Sequence, residues 1–314
     1  MTPTESLKFI TSEFSHPGEI RSSNEDRYST ISYQLREDDK PAMLAVVADG
    51  IGGHKAGEVA AQITVDTIVS YLTNSDGSDP ISELQAAVLE ANKSVQQKSH
   101  DIPEQLGMGS TVVVVWIIGT HLYTTSVGDS RIYLLRQGRL HQISIDHTWV
   151  QEAIEHNIIK PDEARDHPQA HILRRYIGGV EAPELDMRLR LAEDENPDRS
   201  IANQGLPLEQ ADRILLCTDG LTDLVEDREI MQALQVQAPK DAVIALVNLA
   251  RARGGHDNIT VVIVASSEIA LRPRPNRRAA WVKATILGSV GLIFLIVLVA
   301  IAGFWFGLWP WPGG

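Results

Sequence analysis

Three aspartates lie where strands are predicted to begin or end. Asp49 follows the apolar run LAVVA and precedes Gly50, and Asp219 follows ILLCT and precedes Gly220 in the same way. Asp257 comes just before ITVVIVA, a run rich in β-branched residues that is typical of a strand. Because the end of one strand and the start of its antiparallel neighbour share a sheet edge, we expect these three carboxylates to converge.

Further acids could join this group. Asp129 lies in SVGDSR between two predicted strands, and Glu25 and Asp26 precede a candidate strand at residues 28–33. Carboxylates without cysteine or convergent histidine spacing suit hard cations bound through oxygen, meaning Mg²⁺ or Mn²⁺ rather than zinc or copper. The glycine after each Asp permits a sharp turn and lets a backbone carbonyl approach a metal closely. The alternative is that Asp-Gly simply terminates strands, but three acids in this order favour cation binding.

The elements that must position these acids follow from hydrophobic periodicity. The predicted strands are residues 42–48, 111–118, 121–127, 131–136, 185–191, 213–217 and 259–265. The predicted helices are residues 56–72, 81–98, 148–156, 229–235 and 240–252. Two stretches fall outside the strand pattern: residues 146–179 are predicted as a small helical insertion and residues 192–210 as a mobile polar loop.

The connections between strands indicate the fold class. Only Gly119 and Thr120 separate two strands, and residues 128–130 separate the next pair, so antiparallel neighbours are expected. The runs MLAVVA and VVVVWII lack polar alternation, which indicates strands that are covered on both faces. Two antiparallel sheets packed on each other with helices outside satisfy both observations. The prediction is therefore an α+β fold, a four-layer αββα sandwich.

Charge and cysteine content narrow the partners and the compartment. Lys and Arg total 28 against 41 Asp and Glu, and five of the basic residues follow the last acid, Glu268. The residues before Leu271 thus carry a net charge of −18, which argues against nucleic acid as a partner. Cys217 is the only cysteine and lies in an apolar run, so we interpret it as a core residue in a reducing compartment. The N-terminus lacks a basic stretch followed by an apolar one, and a cleaved signal peptide is not expected.

The C-terminal sequence has the pattern of a membrane anchor. Residues 284–306 are uncharged and long enough to cross a bilayer as one transmembrane helix. Before them, residues 269–283 form a basic Pro/Arg linker, so residues 1–268 are predicted as the main domain and 307–314 as a short extracytoplasmic tail. Five basic residues precede the span and none follows it, which predicts a single-pass cell-membrane protein with a cytoplasmic globular domain.

Seven segments carry a resemblance to a known family. In chain order they are GEIRSSNEDR, VVADGIGGHKAGEVA, MGST, VGDSRIYLLRQGRL, DHTWV, ILLCTDGLTD and GGHDNITVVIV. This order resembles that of bacterial type 2C metal-dependent protein serine/threonine phosphatases, and the match covers residues 9–266. The resemblance implies a two-sheet sandwich flanked by helices, in agreement with the strand pattern. Ile51, Ser126 and Ala211 depart mildly from the family pattern, and none is a predicted ligand.

The resemblance also implies a paired Mn²⁺ or Mg²⁺ centre. Asp49 would bridge two ions, Asp219 and Asp257 would complete one of them, and the Gly50 carbonyl would serve the other. A water shared between the ions would be deprotonated near neutral pH and attack phosphorus in line. No covalent nucleophile is then needed, consistent with an inert Cys217.

Residues around that centre receive supporting roles from the same resemblance. Glu25 and Asp26 would hold metal-bound waters, and Asp129 with Asp219 would offer a third, weaker metal site. Arg21 would grip the substrate phosphate, for which a guanidinium fork is well shaped.

The proton donor to the leaving alcohol is left open. His54 in GGH is a candidate, and a structural role in its loop is the alternative. The other histidines, including His147 and His171, are assigned surface or packing roles. Residues 146–179 correspond to the family's flap, which borders the site. The flap arginines that could contact a phosphoprotein are Arg174 and Arg175.

The favoured hypothesis is an active phosphoserine/phosphothreonine phosphatase. A catalytically silent, membrane-tethered binding or sensor module is the alternative from another class, disfavoured because Asp49, Asp219 and Asp257 are all present. A phosphatase for small phosphoesters is also compatible, since specificity lies in surfaces that composition does not reveal. The expected partners are phosphorylated proteins, with a membrane serine/threonine kinase as a natural one, and membrane lipid around the C-terminal helix.

Overall fold

The computed structural model describes residues 9–35, 40–52, 56–165, 167–192 and 194–266. The predicted linker, transmembrane helix and tail lie outside these residues, as does His54. Within the described part of the chain, no helix is both long and apolar enough to cross a bilayer.

The described residues contain twelve strands and seven α-helices. The strands are β1 (Phe9–His16), β2 (Arg27–Gln34), β3 (Pro41–Ala48), β4 (Gly50–Ile51), β5 (Gly109–Ser110), β6 (Val112–Ile118), β7 (His121–Val127), β8 (Arg131–Arg136), β9 (Arg139–Gln142), β10 (Leu206–Pro207), β11 (Arg213–Cys217) and β12 (Ile259–Ser266). The α-helices are α1 (Ala56–Asn74), α2 (Pro80–Asp101), α3 (Trp149–Glu155), α4 (Pro197–Ala202), α5 (Asp219–Thr222), α6 (Asp227–Val236) and α7 (Pro239–Ala252).

Two five-stranded antiparallel sheets form the centre of the fold. The first has the order β1-β12-β11-β8-β9 and the second β10-β7-β6-β3-β2. Their inner faces pack on each other through residues such as Val113, Ile214 and Val262. Helices α1 and α2 cover the outer face of the second sheet, and α6 and α7 cover that of the first. This arrangement confirms the predicted α+β sandwich, and it explains why β3 and β6 are apolar throughout: both of their faces are buried.

Strand pairing brings the Asp-bearing ends together. In the first sheet Cys217 pairs with Val261, so the end of β11 lies beside the start of β12. In the second sheet the end of β3 lies beside the start of β2, with Ala48 opposite Arg27. The acids next to these strand ends thus come from both sheets. The prediction had placed them at the edge of a single sheet.

Three expectations about connections are wrong. Strands β7 and β8 are not neighbours, because residues 128–130 carry the chain from one sheet to the other. Residues 185–191 form no strand, and only Asp186 bridges to Ser126. Residues 192–210, predicted as a mobile polar loop, contain α4, whose first turn is capped by the Asn196 side chain, and β10. The insertion at residues 146–179 contains α3 and a 3₁₀ turn at Pro161–Glu163, and its other described residues form turns, bends, isolated bridges and irregular backbone.

Candidate active site

One cleft receives the three aspartates predicted to converge. Asp49, Asp219 and Asp257 all line a cavity of about 800 Å³ at one end of the sandwich, and Arg21 and Gly50 line it with them. Asp219 is the first residue of α5, and Asp257 lies two residues before β12. The structure therefore brings these five predicted site residues together with Glu25 in one cleft, whereas Asp26 and Asp129 do not line this cavity.

Backbone hydrogen bonds from the MGST segment hold Asp49 in place. The Asp49 N–H donates to Thr111 Oγ1 at 3.0 Å. Its carbonyl accepts from the Thr111 N–H at 2.8 Å and from Ser110 Oγ at 2.9 Å. The Thr111 hydroxyl also lies 2.7 Å from that of Ser130. These bonds use the main chain of Asp49 and leave its carboxylate available to the cleft.

The two Asp-Gly pairs share a steric cause. A Cβ on Gly50 would lie 2.2 Å from the carbonyl oxygen of Gly57, and one on Gly220 would lie 2.0 Å from that of Asn258. Both distances are far below van der Waals contact, so only glycine fits at either position. The chain after each aspartate thus runs directly against a neighbouring backbone.

Asp26 lies beneath the cleft with one carboxylate oxygen bonded and the other unpartnered. Its Oδ2 accepts from the hydroxyls of Thr218 at 2.9 Å and Thr260 at 2.6 Å. Its Oδ1 is buried and has no hydrogen-bond partner among the described residues. Burial raises the pKa of Asp26 to about 7, although both threonine hydroxyls act to lower it. Neither threonine was predicted from the sequence as part of the site.

Burial and mutual repulsion raise the pKa of several acids at this end of the sandwich. Burial, followed by the charges of Asp26 and Asp219, raises the pKa of Asp49 well above its usual range. Burial, followed by Asp223 and Asp257, raises the pKa of Asp219 to about 6. The buried Oδ1 of Asp219 also has no hydrogen-bond partner among the described residues. A cluster of carboxylate oxygens with uncompensated negative charge is suited to binding a hard divalent cation.

Arg21 and Glu25 lie at the mouth of the cleft. Arg21 Nη2 lies 2.7 Å from Asp257 Oδ2, and the Arg21 side chain is 58% exposed. Burial raises the pKa of Glu25. The loop that carries both residues is tied down by Asn258, whose Oδ1 accepts from the Glu25 N–H at 2.7 Å and whose Nδ2 donates to the Ser23 carbonyl at 2.9 Å. Asn258 was not predicted as a site residue, although it follows Asp257 directly.

A second cavity adjoins the first, and Asp129 faces it. It measures about 510 Å³, and Asp219 and His171 line both cavities. Burial, followed by the charge of Asp219, raises the pKa of Asp129 well above its usual range. His171 was assigned a surface or packing role; it is exposed, but it also lies beside the acids, with Nδ1 3.6 Å from Asp223 Oδ2. Ligand atoms of His171, Asp219 and Asp223 lie within 4.8 Å of one another.

The flap arginines named by the sequence analysis take part in ion pairs. Arg174 Nε lies 2.9 Å from Glu152 Oε2, and Arg175 Nη2 lies 2.8 Å from Glu184 Oε2. A role for them in contacting phosphoprotein stays a prediction. Cys217 is fully buried, and burial raises the pKa of its thiol, so the thiolate that would act as a nucleophile is disfavoured.

Comparison with known proteins shows which family this site belongs to. The model of the family described as protein phosphatase 2C matches residues 21–254. The chain belongs to the protein phosphatase 2C family.

The serine/threonine protein phosphatase PstP of Mycobacterium tuberculosis is 38% identical over 223 residues, which are 71% of this chain but 40% of PstP. The chain thus spans less than half the length of PstP. The serine/threonine phosphatase stp of Listeria monocytogenes is 31% identical over 252 residues, which are 79% of this chain and 92% of that protein.

Solved structures of this protein phosphatase 2C family share the fold. The crystal structure of M. tuberculosis PstP matches with a TM-score of 0.68 and 34% identity, covering 83% of this chain and 99% of that one. The catalytic domain of PstP in complex with two manganese ions matches with a TM-score of 0.65 and 33% identity, covering 82% and 97% of the two chains.

Proposed function

We propose that this chain hydrolyses phosphoserine and phosphothreonine in proteins, using two Mn²⁺ or Mg²⁺ ions, at the cytoplasmic face of a membrane. The observation that carries the proposal is the convergence of Asp49, Asp219 and Asp257 in one cleft, with a buried Asp219 oxygen left unpartnered. Family membership supports it, because relatives of this chain are named serine/threonine phosphatases.

The residues at hand suit a pair of divalent cations. Asp49 would bridge both ions, Asp219 and Asp257 would complete one, and the carbonyl of Gly50 would serve the other. Two manganese ions are bound by the PstP catalytic domain. When bound, such a pair supplies an activated water at neutral pH and offsets negative charge on the phosphoryl group. Asp129, with Asp219, would add a third and weaker site.

Arg21 would act on the substrate. Its exposed guanidinium already lies at the mouth of the cleft, where it pairs with Asp257. A phosphate dianion offers the same fork geometry with more charge, so it would draw Arg21 away from Asp257 and release that carboxylate for the cation. Glu25, at the mouth of the cleft, and Asp26, beneath it, would hold water around the ions. Cys217, the sole cysteine, takes no part.

The proposal is tested with the purified full-length chain in detergent. We expect it to release phosphate from a phosphothreonine peptide in the presence of Mn²⁺, to lose that activity on exhaustive chelation, and to regain it when Mn²⁺ is restored. Activity that survives chelation would exclude the mechanism. Absence of activity on every phosphoester, with intact fold and bound Mn²⁺, would favour the silent binding module. A kcat/KM higher for a small aryl phosphate than for the peptide would favour the small-phosphoester alternative.

The membrane location is the finer part of the proposal. It is supported by the uncharged residues 284–306 and by the five basic residues that precede them. Tethering would raise the local concentration of membrane-associated phosphoproteins, such as a serine/threonine kinase. Protease added to intact spheroplasts should leave the phosphatase domain uncut. Digestion from outside would overturn this orientation.

A further inference from the structure

A buried histidine at the base of the flap contacts the loop that carries Asp129. His147 is 4% exposed, and its ring lies between two polar groups. Nδ1 accepts a hydrogen bond from the Gly128 N–H at 3.0 Å, and Nε2 lies 3.1 Å from Asp186 Oδ2. Because Nδ1 is an acceptor here, the hydrogen-bond network assigns the ring proton to Nε2, which donates it to Asp186.

The same histidine satisfies both backbone polar groups of Gly128. Besides accepting from its N–H through the ring, His147 donates its own N–H to the Gly128 carbonyl at 2.8 Å. Gly128 has a φ of +104°, and a Cβ there would lie 2.6 Å from Thr111 Cβ. The loop is therefore pressed against Thr111, the residue that holds Asp49. A shift of Gly128 would disturb both Asp129 and the support of Asp49.

Asp186 is itself held on several sides. Arg188 donates to Asp186 Oδ2 from Nε at 2.9 Å and from Nη2 at 2.5 Å. The Asp186 backbone exchanges two hydrogen bonds with Ser126, at 3.2 and 3.3 Å. Arg188 Nη1 also lies 3.5 Å from Glu155 Oε1 on α3 of the flap. Although burial alone would raise the pKa of Asp186, the hydrogen bonds from His147 and Arg188 hold it well below its usual range. The carboxylate is therefore a charged, fixed acceptor for the ring.

We propose that His147, backed by Asp186, is a positioning residue for Asp129: it fixes residues 128–130 so that the Asp129 carboxylate keeps its place beside Asp219. The inference rests on the proposed function to the extent that Asp129 is taken as a cation ligand. His147 is buried and lines neither of the two cavities. Its effect runs through the Gly128 backbone.

A pair of substitutions separates positioning from general packing. In His147→Asn the side-chain Oδ1 takes the place of Nδ1 and can still accept from Gly128, whereas the longer chain of His147→Gln moves the acceptor away. A buried N–H without an acceptor is costly, so in the Gln variant the loop must shift or admit water. Loss of groups that orient metal ligands typically costs about 10–100-fold in metal affinity.

The experiment uses the full-length chain and three readouts. Amide hydrogen exchange at Gly128 and calorimetric Mn²⁺ binding need no substrate, and the third readout is the Mn²⁺ dependence of phosphopeptide hydrolysis. For His147→Gln we expect the Gly128 amide to exchange about tenfold faster or more. The affinity of the weakest Mn²⁺ site should fall by about tenfold or more, and the KM for phosphopeptide at saturating Mn²⁺ should stay unchanged. His147→Asn should recover most of both losses. Tyr33→Phe, which removes a buried hydroxyl at the far end of β2, is the matched control. It should change neither the exchange of the Gly128 amide nor the affinity for Mn²⁺.

The outcomes are decisive for His147 whatever becomes of the hydrolysis. Unchanged Gly128 exchange and Mn²⁺ binding in His147→Gln, with only a lower melting temperature, would overturn the proposal. Equal losses in the Asn and Gln variants would overturn the role of the Nδ1 acceptor. If the Gln variant does not fold, Asp186→Asn tests the same arrangement by altering the acceptor of the His147 Nε2 proton. Unchanged exchange of the Gly128 amide in Asp186→Asn would count against the proposal. Failure of the wild type to hydrolyse phosphopeptide would refute the proposed function, while exchange and Mn²⁺ binding would still decide on His147.

Discussion

Replacing Asp219 with Asn should stabilise the metal-free protein. The pKa of Asp219 rises from 3.8 to about 6 on folding, chiefly through burial and then through the charges of Asp223 and Asp257. At about 1.4 kcal/mol per pKa unit, the carboxylate would destabilise the folded state by roughly 3 kcal/mol. Because the residue is partly exposed to the cleft, we take about 2 kcal/mol. Asn keeps the shape and removes the charge, so the variant should melt about 4–8 °C higher.

The sign of the pH dependence follows from the same shift. The folded-state pKa of Asp219 is higher than the unfolded one, so the charged form destabilises the folded protein fully above about pH 6 and not at all below 3.8. The gain from Asp219→Asn should thus be complete at about pH 7.5 and fade as the pH falls from about 6 to 4. Thermal unfolding in chelator, followed by circular dichroism, measures it. With excess Mn²⁺ the order should reverse, because only the wild type gains the full stabilisation from binding.

A matched control separates the effect of burying Asp219 among other carboxylates from the effect of removing one negative charge. Asp66 on α1 is exposed and accepts a hydrogen bond from Gln62 that an Asn can also accept. Asp66→Asn removes the same formal charge, and we expect it to change the melting temperature little, with no dependence on Mn²⁺. A metal-free Asp219→Asn protein that is less stable than the wild type would refute the reasoning, since the carboxylate would then be satisfied by its surroundings.

Three further predictions concern activity and packing. Asp49→Asn should cost several orders of magnitude in turnover at saturating Mn²⁺ while the domain still folds, and near-normal kinetics would show that the centre is misplaced. Arg21→Ala should raise KM for phosphopeptide more than it lowers kcat, because the guanidinium grips phosphate in the ground state too; a pure kcat loss would point to transition-state charge instead. Tyr33→Phe should cost about 1 kcal/mol of stability, measured by chemical denaturation, because it removes the hydroxyl to which Trp116 Nε1 donates at 2.8 Å. Its kcat and KM should be unchanged.

Continuous apolar runs made the central strands predictable. The predicted bounds of β7, β8 and β11 agree with the structure, and β3 and β6 differ by one residue at their starts. Strands at sheet edges were harder to find. β1 and β9 are both edge strands with mostly half-buried, partly polar side chains, FITSEFSH and RLHQ, so their sequences carry little strand signal.

Residues 185–191 illustrate the opposite error. Their alternation of apolar and polar residues, LDMRLRL, has the period of a strand. The segment pairs with β7 only at one bridge, and the buried polar side chain in it serves other contacts. Asp186 faces His147, which lies 39 positions away. A contact of that separation depends on the fold of the flap, and local periodicity cannot report it.

The support of the acids shows why the site could be predicted only in part. Asp49 and Asp219 stand out because Asp-Gly after an apolar run is a pattern within a short stretch of sequence, and the collision that a Cβ would make at Gly50 or Gly220 explains the glycine. The residues that support the acids have no such local pattern. Thr218 precedes Asp219 but donates to Asp26, because neighbouring residues at a strand end point to different sides. Asp26 is therefore held by a residue that the sequence places beside Asp219, and Glu25 by Asn258, which the sequence places beside Asp257. Only the folded structure shows these pairings.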